Sequence, residues 1–196
     1  NGDYTLKENK DYVVKTRKDN TDVGVSSIEI EGMGSYSGTK TLEFNIIPKP
    51  IEACDIQDIE DAPYEMGFEI EPAVTVKNGS NELTQGVDYT IEFKNNIDVT
   101  DEAEAIITAK SSNYTGSVTK LFKITPVSIV ATGNGVSITN ADVTQEYTGS
   151  VIKPAIVITR YWNNKNYTLT RDVDYTVEYA NNLEVTGSGE KASVTV

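Results

Sequence analysis

Apolar and polar side chains alternate along the block Asp88–Asn96, where every second residue from Tyr89 to Phe93 is apolar and those between are polar. This period of two predicts a β-strand with one buried and one solvated face. The block at 174–182 repeats the alternation, and a looser copy begins at Asp11. We therefore interpret the chain as a set of repeats.

The spacing of the blocks sets the size of the repeat. Their first residues lie 77 and 86 residues apart, which suits a small β-sandwich and is far longer than a helical repeat. Prolines close the first two repeats at Pro48 and Pro126, and prolines after an alternating strand indicate a module boundary. We predict a partial repeat at 1–48, a complete repeat at 49–125, and a repeat at 126–196 that lacks its last strand.

Turn signals between the blocks complete a pattern of short strands. The pair Asn78-Gly79 favours a tight hairpin. The segment Asn113–Gly116 matches Ser35–Gly38, and each predicts a glycine-containing turn before a returning strand. Sustained helical periodicity is absent from the sequence, so the predicted fold is all-β, made of tandem sandwiches with incomplete terminal units.

Charge and composition exclude several partners. The chain has 196 residues and a net charge of −13, which argues against nucleic acids and anionic membrane surfaces because these are bound mainly by Lys and Arg. No apolar run is long enough to insert in a membrane. Cys54 is the sole cysteine, so it is expected to be a small apolar filler. The chain begins with Asn, which suggests a fragment of a longer polypeptide.

Catalytic chemistry has little support in the residue types present. The chain contains no His, which excludes nucleophiles activated by His and metal sites ligated by His within it. Acidic clusters near Asp58 and Asp101 lack the spacing of a calcium loop and are interpreted as solvated surface. The recurring Asp–Tyr pair is interpreted as structural, with the carboxylate in a turn and the ring packed inside. We therefore expect no enzyme, no cofactor and no metal site.

The segment Arg160–Tyr167 is the main departure from the repeat and contains the only Trp. Tyr161, Trp162 and Tyr167 are the candidate ligand-binding residues, because exposed aromatic rings on a loop can stack against sugars. The competing interpretation is that Trp162 and Tyr167 form a cross-strand pair that steadies a hairpin.

The recurring motifs resemble a known family. Tyr-x-Gly, Pro-Ala-x-x-Val, the Asp-Tyr block ending in Asn-Asn, Asn-Tyr-Thr-Gly and Phe-x-Ile together resemble the bacterial immunoglobulin-like (BIg/MBG-like) tandem repeats of cell-surface and secreted proteins from Gram-positive bacteria. The resemblance covers nearly the whole chain, although the first copy departs from it at Thr16 and Arg17. It implies an extracellular or cell-surface location.

Three functional hypotheses follow from this resemblance and the residues. The first is a non-catalytic spacer or adhesin stalk whose partners are the neighbouring domains of the same polypeptide. The second is a module that binds a carbohydrate or a host surface ligand through Tyr161, Trp162 and Tyr167. The third is assembly in trans, in which the incomplete third repeat accepts a strand from another chain. A Lys–Asn isopeptide bond within a module is a further possibility.

Overall fold

The computed structural model describes residues 4–18, 21–130, 133–139, 144–183 and 192–196. The fold is all-β with several sheets and is compatible with a β-sandwich, as the alternating sequence pattern predicted. The strands are β1 (Tyr12–Lys18), β2 (Gly24–Gly32), β3 (Thr39–Ile46), β4 (Lys49–Pro50), β5 (Asp55–Ile56), β6 (Ala62–Pro63), β7 (Val76–Asn78), β8 (Asn81–Glu82), β9 (Tyr89–Lys94), β10 (Thr100–Ala109), β11 (Tyr114–Thr115), β12 (Ser117–Thr125), β13 (Val136–Thr139), β14 (Val157–Trp162), β15 (Lys165–Thr168), β16 (Glu178–Ala180) and β17 (Ser193–Thr195). A single 3₁₀ turn, Ile51–Ala53, is the helical element of these ranges.

The chain forms two compact units. The first comprises Asn1–Asp61, Glu71–Asn96 and Thr100–Lys123, and the second comprises Ala62–Ile70, Ile97–Val99 and Ile124–Val196. These units are defined by contacts, whereas the sequence repeats are defined by motifs. The division into repeats at 1–48, 49–125 and 126–196 therefore stays a prediction.

The first unit contains two antiparallel three-stranded sheets, β1-β2-β3 and β5-β7-β8, and the neighbouring strands β9, β10 and β12. Strands β4 and β11 add a short parallel pair. Its core includes the fully buried side chains of Ile51, Val76 and Ile107. Along β9 the predicted alternation is confirmed, because Tyr89, Ile91 and Phe93 are buried or half-buried and the residues between them are exposed.

The second unit contains the sheet β13-β14-β15 and the pair β16-β17. In the same unit, Ile124 and Thr125 at the end of β12 pair in parallel with β6. Its core is built on Ile156, Ile158 and Tyr175. The third block keeps the predicted alternation, with Tyr175 buried and Val177 and Tyr179 half-buried.

The strand formed by the first copy of the block is irregular close to Thr16 and Arg17, where its sequence departs from the other two copies. Strand β1 shifts register between Val14 and Thr16, so Lys15 has no partner in the ladder with β2. Such a bulge bends the strand and exposes its end, and residues 15–18 are indeed exposed. The Lys15 ammonium lies 2.7 Å from the Glu31 carboxylate, and this hydrogen bond raises the pKa of Lys15.

Candidate functional site

A loop of the same geometry precedes each of the three Asp-Tyr pairs. The Asp carboxylate accepts a hydrogen bond from the backbone N–H four residues earlier in all three. These bonds run from Lys7 N to Asp11 Oδ2 at 3.0 Å, from Thr84 N to Asp88 Oδ2 at 2.8 Å, and from Thr170 N to Asp174 Oδ2 at 2.6 Å. The carboxylate thus satisfies a backbone donor in a turn, as the structural interpretation of the pair predicted.

The backbone of these loops closes in the same way each time. The amide two residues before the Asp donates to the carbonyl of the following Tyr at 2.7 Å in every copy, from Asn9, Gly86 and Asp172. All three donors have positive φ, at 65°, 84° and 64°. Gly, Asn and Asp are the residues that adopt this backbone most readily, so the loops keep one shape with different sequences.

The tyrosines of the second and third pairs are inside the protein. Tyr89 is 3% exposed, and its hydroxyl donates to the Val74 carbonyl at 3.2 Å. Tyr175 is 9% exposed and donates to the Ile156 carbonyl at 3.1 Å. Burial removes water from the Tyr89 phenol and is the main reason that its pKa is raised, with smaller contributions from the charges of Glu82 and Asp88. These phenols therefore pack and hydrogen-bond within the protein.

The Asn pairs that end the second and third blocks are turn residues, as predicted. Asn95 and Asn181 have φ of 52° and 54°. The next residue then bonds inward in the third block, where Asn182 Nδ2 donates to the Ile152 carbonyl at 2.7 Å. The Ile152 amide donates back to the Asn182 carbonyl at 2.8 Å.

The three candidate ligand-binding residues lie on the hairpin β14–β15. Asn163 and Asn164 form its two-residue loop, with φ of 46° and 59°, as in the hairpin turns that match strand twist. Side chains alternate along β14, so Trp162 lies on one face and Tyr161 on the other. Tyr161 is 54% exposed, and its hydroxyl hydrogen-bonds to Asn164 Oδ1 at 3.3 Å. The hairpin thus separates Tyr161 from the other two candidates.

Trp162 and Tyr167 belong to an aromatic cluster with Phe68. The Trp162 ring lies 5.1 Å from the Phe68 ring and 6.4 Å from the Tyr167 ring, centroid to centroid. Phe68 also meets the edge of Tyr167 at 6.4 Å and 83°. Rings at these separations attract one another beyond the area they bury. The predicted cross-strand pair is present, and Phe68, which the sequence reasoning missed, covers it.

Sequence reasoning also missed Arg160, which lies on the same strand. Arg160 is 7% exposed and donates from Nη1 to the Tyr64 carbonyl at 2.7 Å. Its Nε is buried and has no hydrogen-bond partner in the described parts of the chain. An unpaired charged donor in the interior costs about 1–3 kcal/mol or more. A long basic side chain in a strand usually lies at the surface, so only the three-dimensional structure identifies this residue.

Arg160 lines a cleft in the second unit with a volume of about 390 Å³. Most of the other lining residues are apolar, among them Met66, Ile129 and Leu169, and two are acidic, Asp98 and Asp174. A volume of this size suits a small ligand. The cleft is therefore the second candidate site of the molecule, beside the aromatic hairpin.

The other candidate chemistry of the chain is modest. Cys54 is 8% exposed, as expected for an apolar filler, and burial raises the pKa of its thiol. In the described ranges, no group of three or more Cys, Asp or Glu side chains is placed to hold a metal ion. Within those same ranges no helix has the length and apolar character needed to span a membrane. The Lys–Asn isopeptide bond considered from the sequence needs a Lys beside an Asn. Lys49 Nζ donates to Asn78 Oδ1 at 2.8 Å, so one such pair is in contact.

Comparison with known proteins gave no relative: no family model, no curated protein and no solved structure matches this chain.

Proposed function

We propose that this chain is a non-catalytic spacer or adhesin stalk of a large bacterial surface protein, built of tandem immunoglobulin-like sandwiches. The observation that carries the proposal is that the recurring Asp and Tyr residues form hydrogen bonds within the protein. The Asp of each pair holds a loop, and the hydroxyls of Tyr89 and Tyr175 bond to backbone carbonyls inside the protein. Residues that recur for packing serve a repeated scaffold, since a binding site would need them open to a ligand.

Contacts inside the first unit support a stiff connection between its first two sequence repeats. Asn113, from the Asn-Tyr-Thr-Gly motif, accepts a bond from the Val23 amide at 2.9 Å and donates to Asp22 Oδ1 at 2.8 Å. Its carbonyl accepts from the Lys49 amide at 3.0 Å. Asn113, which belongs to the second sequence repeat, thus holds two residues of the first repeat and one residue of the proline-containing joint. A joint fastened in this way limits bending, as a stalk requires.

The proposed setting is outside the cell or on its surface, with the neighbouring domains of the same polypeptide as partners. The acidic surface suits a solvated spacer, because a net charge of −13 opposes self-association. The proposal needs no cofactor and no catalytic residue.

Force spectroscopy on the full chain, held by handles at its two ends, tests the spacer proposal. Tandem modules unfold one at a time, so we expect discrete extensions. The 77 residues of repeat 49–125 would release about 26 nm at roughly 3.4 Å per residue. Smooth extension without discrete steps would contradict a chain of separately folded load-bearing modules.

A carbohydrate-binding module is the second candidate, favoured by the exposed ring of Tyr161 at the hairpin. A glycan array with the wild-type chain and the variants Tyr161→Ala and Trp162→Ala separates the two candidates. Glycan binding that Tyr161→Ala abolishes would favour the binding module. The spacer proposal expects no glycan binding at millimolar sugar. Of the two variants it expects only Trp162→Ala to lose stability, because Trp162 packs against Phe68 and Tyr161 lies on the other face of the hairpin.

A further inference from the structure

The cleft at Arg160 contains a positive charge without a salt-bridge partner in the described parts of the chain. Arg160 forms no salt bridge there, although the protein has 30 acidic residues. Among the described residues, its side chain makes one hydrogen bond, from Nη1 to the Tyr64 carbonyl. A nearly buried guanidinium without a carboxylate is unusual, because buried charges are normally paired.

The unused edge of the guanidinium indicates the chemistry of the missing partner. Nε is buried without a partner, and Nη2 has none among the described residues either. Nε–H and Nη2–H together form the fork that binds both oxygens of a carboxylate. The backbone carbonyl of Tyr64 occupies the other side of the group and fixes the orientation of this fork.

The rest of the lining limits what can carry the carboxylate. Met66, Ile129 and Leu169 present apolar surface to the cleft. Asp98 and Asp174 also line it and would repel an anion that carries further negative charge. Asp174 already accepts the Thr170 amide, so its carboxylate is held in its loop. A ligand with one carboxylate and a compact apolar body meets all three conditions.

We propose that this cleft binds a monocarboxylate with an apolar body, held by the Nε/Nη2 edge of Arg160. The proposal is independent of the spacer function, since a stalk segment can carry a ligand site. The carboxylate has two possible sources, a free organic acid or the C-terminus of a peptide that ends in an apolar residue.

Titration followed by NMR tests the proposal directly on the full chain. The chain has three arginines, Arg17, Arg160 and Arg171, so the Nε–H signals can be assigned by substitution. The probe for a free acid is 4-methylpentanoate, and the probe for a peptide terminus is N-acetylglycyl-leucine. Each carboxylate is compared with its neutral amide at constant ionic strength. We expect a saturable shift of the Arg160 Nε–H signal with at least one carboxylate and none with its amide.

Matched variants separate the site from general charge effects. The variants are followed through the backbone amide signals of the cleft residues Val136 and Leu169, which every variant retains. Arg160→Met removes the fork and should abolish the saturable shift of these signals, whereas Arg17→Met, on the exposed end of β1, should leave it unchanged. Arg160→Lys keeps the charge without the fork and should weaken binding at least tenfold, which covers the case that Arg160→Met fails to fold. Absence of saturation with both carboxylates, equal binding of the amides, or full binding in Arg160→Lys would overturn the proposal.

Discussion

The hydroxyl of Tyr89 is a single group whose contribution to stability can be isolated. It donates to the Val74 carbonyl in the interior, so Tyr89→Phe keeps the ring and leaves that carbonyl without this donor. An unsatisfied buried acceptor costs about 1–2 kcal/mol, and we expect the free energy of unfolding to fall by that amount. Denaturant titration measures it. Tyr161→Phe, which alters an exposed hydroxyl, is the control and should change stability by less than about 0.5 kcal/mol.

The same phenol makes stability depend on alkaline pH. Burial raises the pKa of Tyr89 in the folded protein, whereas in the unfolded chain it is about 10. The unfolded state therefore loses this proton first, and stability present below about pH 10 is lost as the pH rises through the raised folded pKa. We expect the urea midpoint of Tyr89→Phe to fall less steeply above about pH 10 than that of the wild-type chain. An equal decline in the variant would show that the phenolate of Tyr89 is not its cause.

At the scale of the element, the loop before each Asp-Tyr pair depends on one carboxylate. Asp88→Ala removes the acceptor for the Thr84 amide, and we expect a loss of about 1 kcal/mol, the usual contribution of a side-chain acceptor that caps a free backbone N–H. Asp88→Asn keeps an oxygen acceptor and should lose less than half as much. Urea denaturation of both variants measures the difference.

Asp101→Ala is the control for the loop, because it removes an exposed carboxylate from the same sequence repeat. Asp101 lies 3.4 Å from Lys123, and its side chain is 81% exposed. Exposed pairs of this kind contribute about 0–1 kcal/mol. If Asp101→Ala were as destabilising as Asp88→Ala, net charge and not the loop bond would explain both results.

How far the sequence predicts an element depends on the range of the interactions that form it. Alternation within β9 identified its buried face because the pattern is local to six residues. The hairpin at Asn78-Gly79 was predicted for the same reason, although its two-residue loop is Gly79-Ser80, because Asn78 still pairs with Asn81. Phe68 against Trp162 could not be predicted, since these residues lie far apart in the chain and neither belongs to a recurring motif.

Packing across the whole molecule also decides whether equivalent residues have equivalent surroundings. Phe44 and Phe122 occupy the same motif position, yet Phe44 is 43% exposed and Phe122 is 2% exposed. Phe122 meets the edge of Phe93 at 6.2 Å between ring centroids. The repeat places both at the same position of a returning strand, but burial depends on what covers that strand. Burial of Arg160 likewise depends on the elements that pack around it and not on its neighbours in the sequence.

The joint fastened by Asn113 provides the test at the scale of the whole molecule. Asn113→Ala removes the acceptor for the Val23 amide and the donor to Asp22. The Val23 amide should then exchange with solvent at least tenfold faster, because opening of the joint no longer breaks a hydrogen bond. Amides of the central strand β2, such as that of Ile28, which pairs with both β1 and β3, should keep their protection if each repeat stays folded. Hydrogen exchange followed by NMR resolves both.

A second variant separates the two bonds at this joint. Asn113→Asp keeps an oxygen for the Val23 amide but places a carboxylate beside that of Asp22, where the native Nδ2 donates at 2.8 Å. The like charges should repel, so we expect exchange at Val23 between the wild-type and Asn113→Ala rates and slower at 0.5 M salt, which screens them. Unchanged exchange at Val23 in both variants would mean that other contacts hold the joint. The proposal that Asn113 stiffens the stalk would then be wrong.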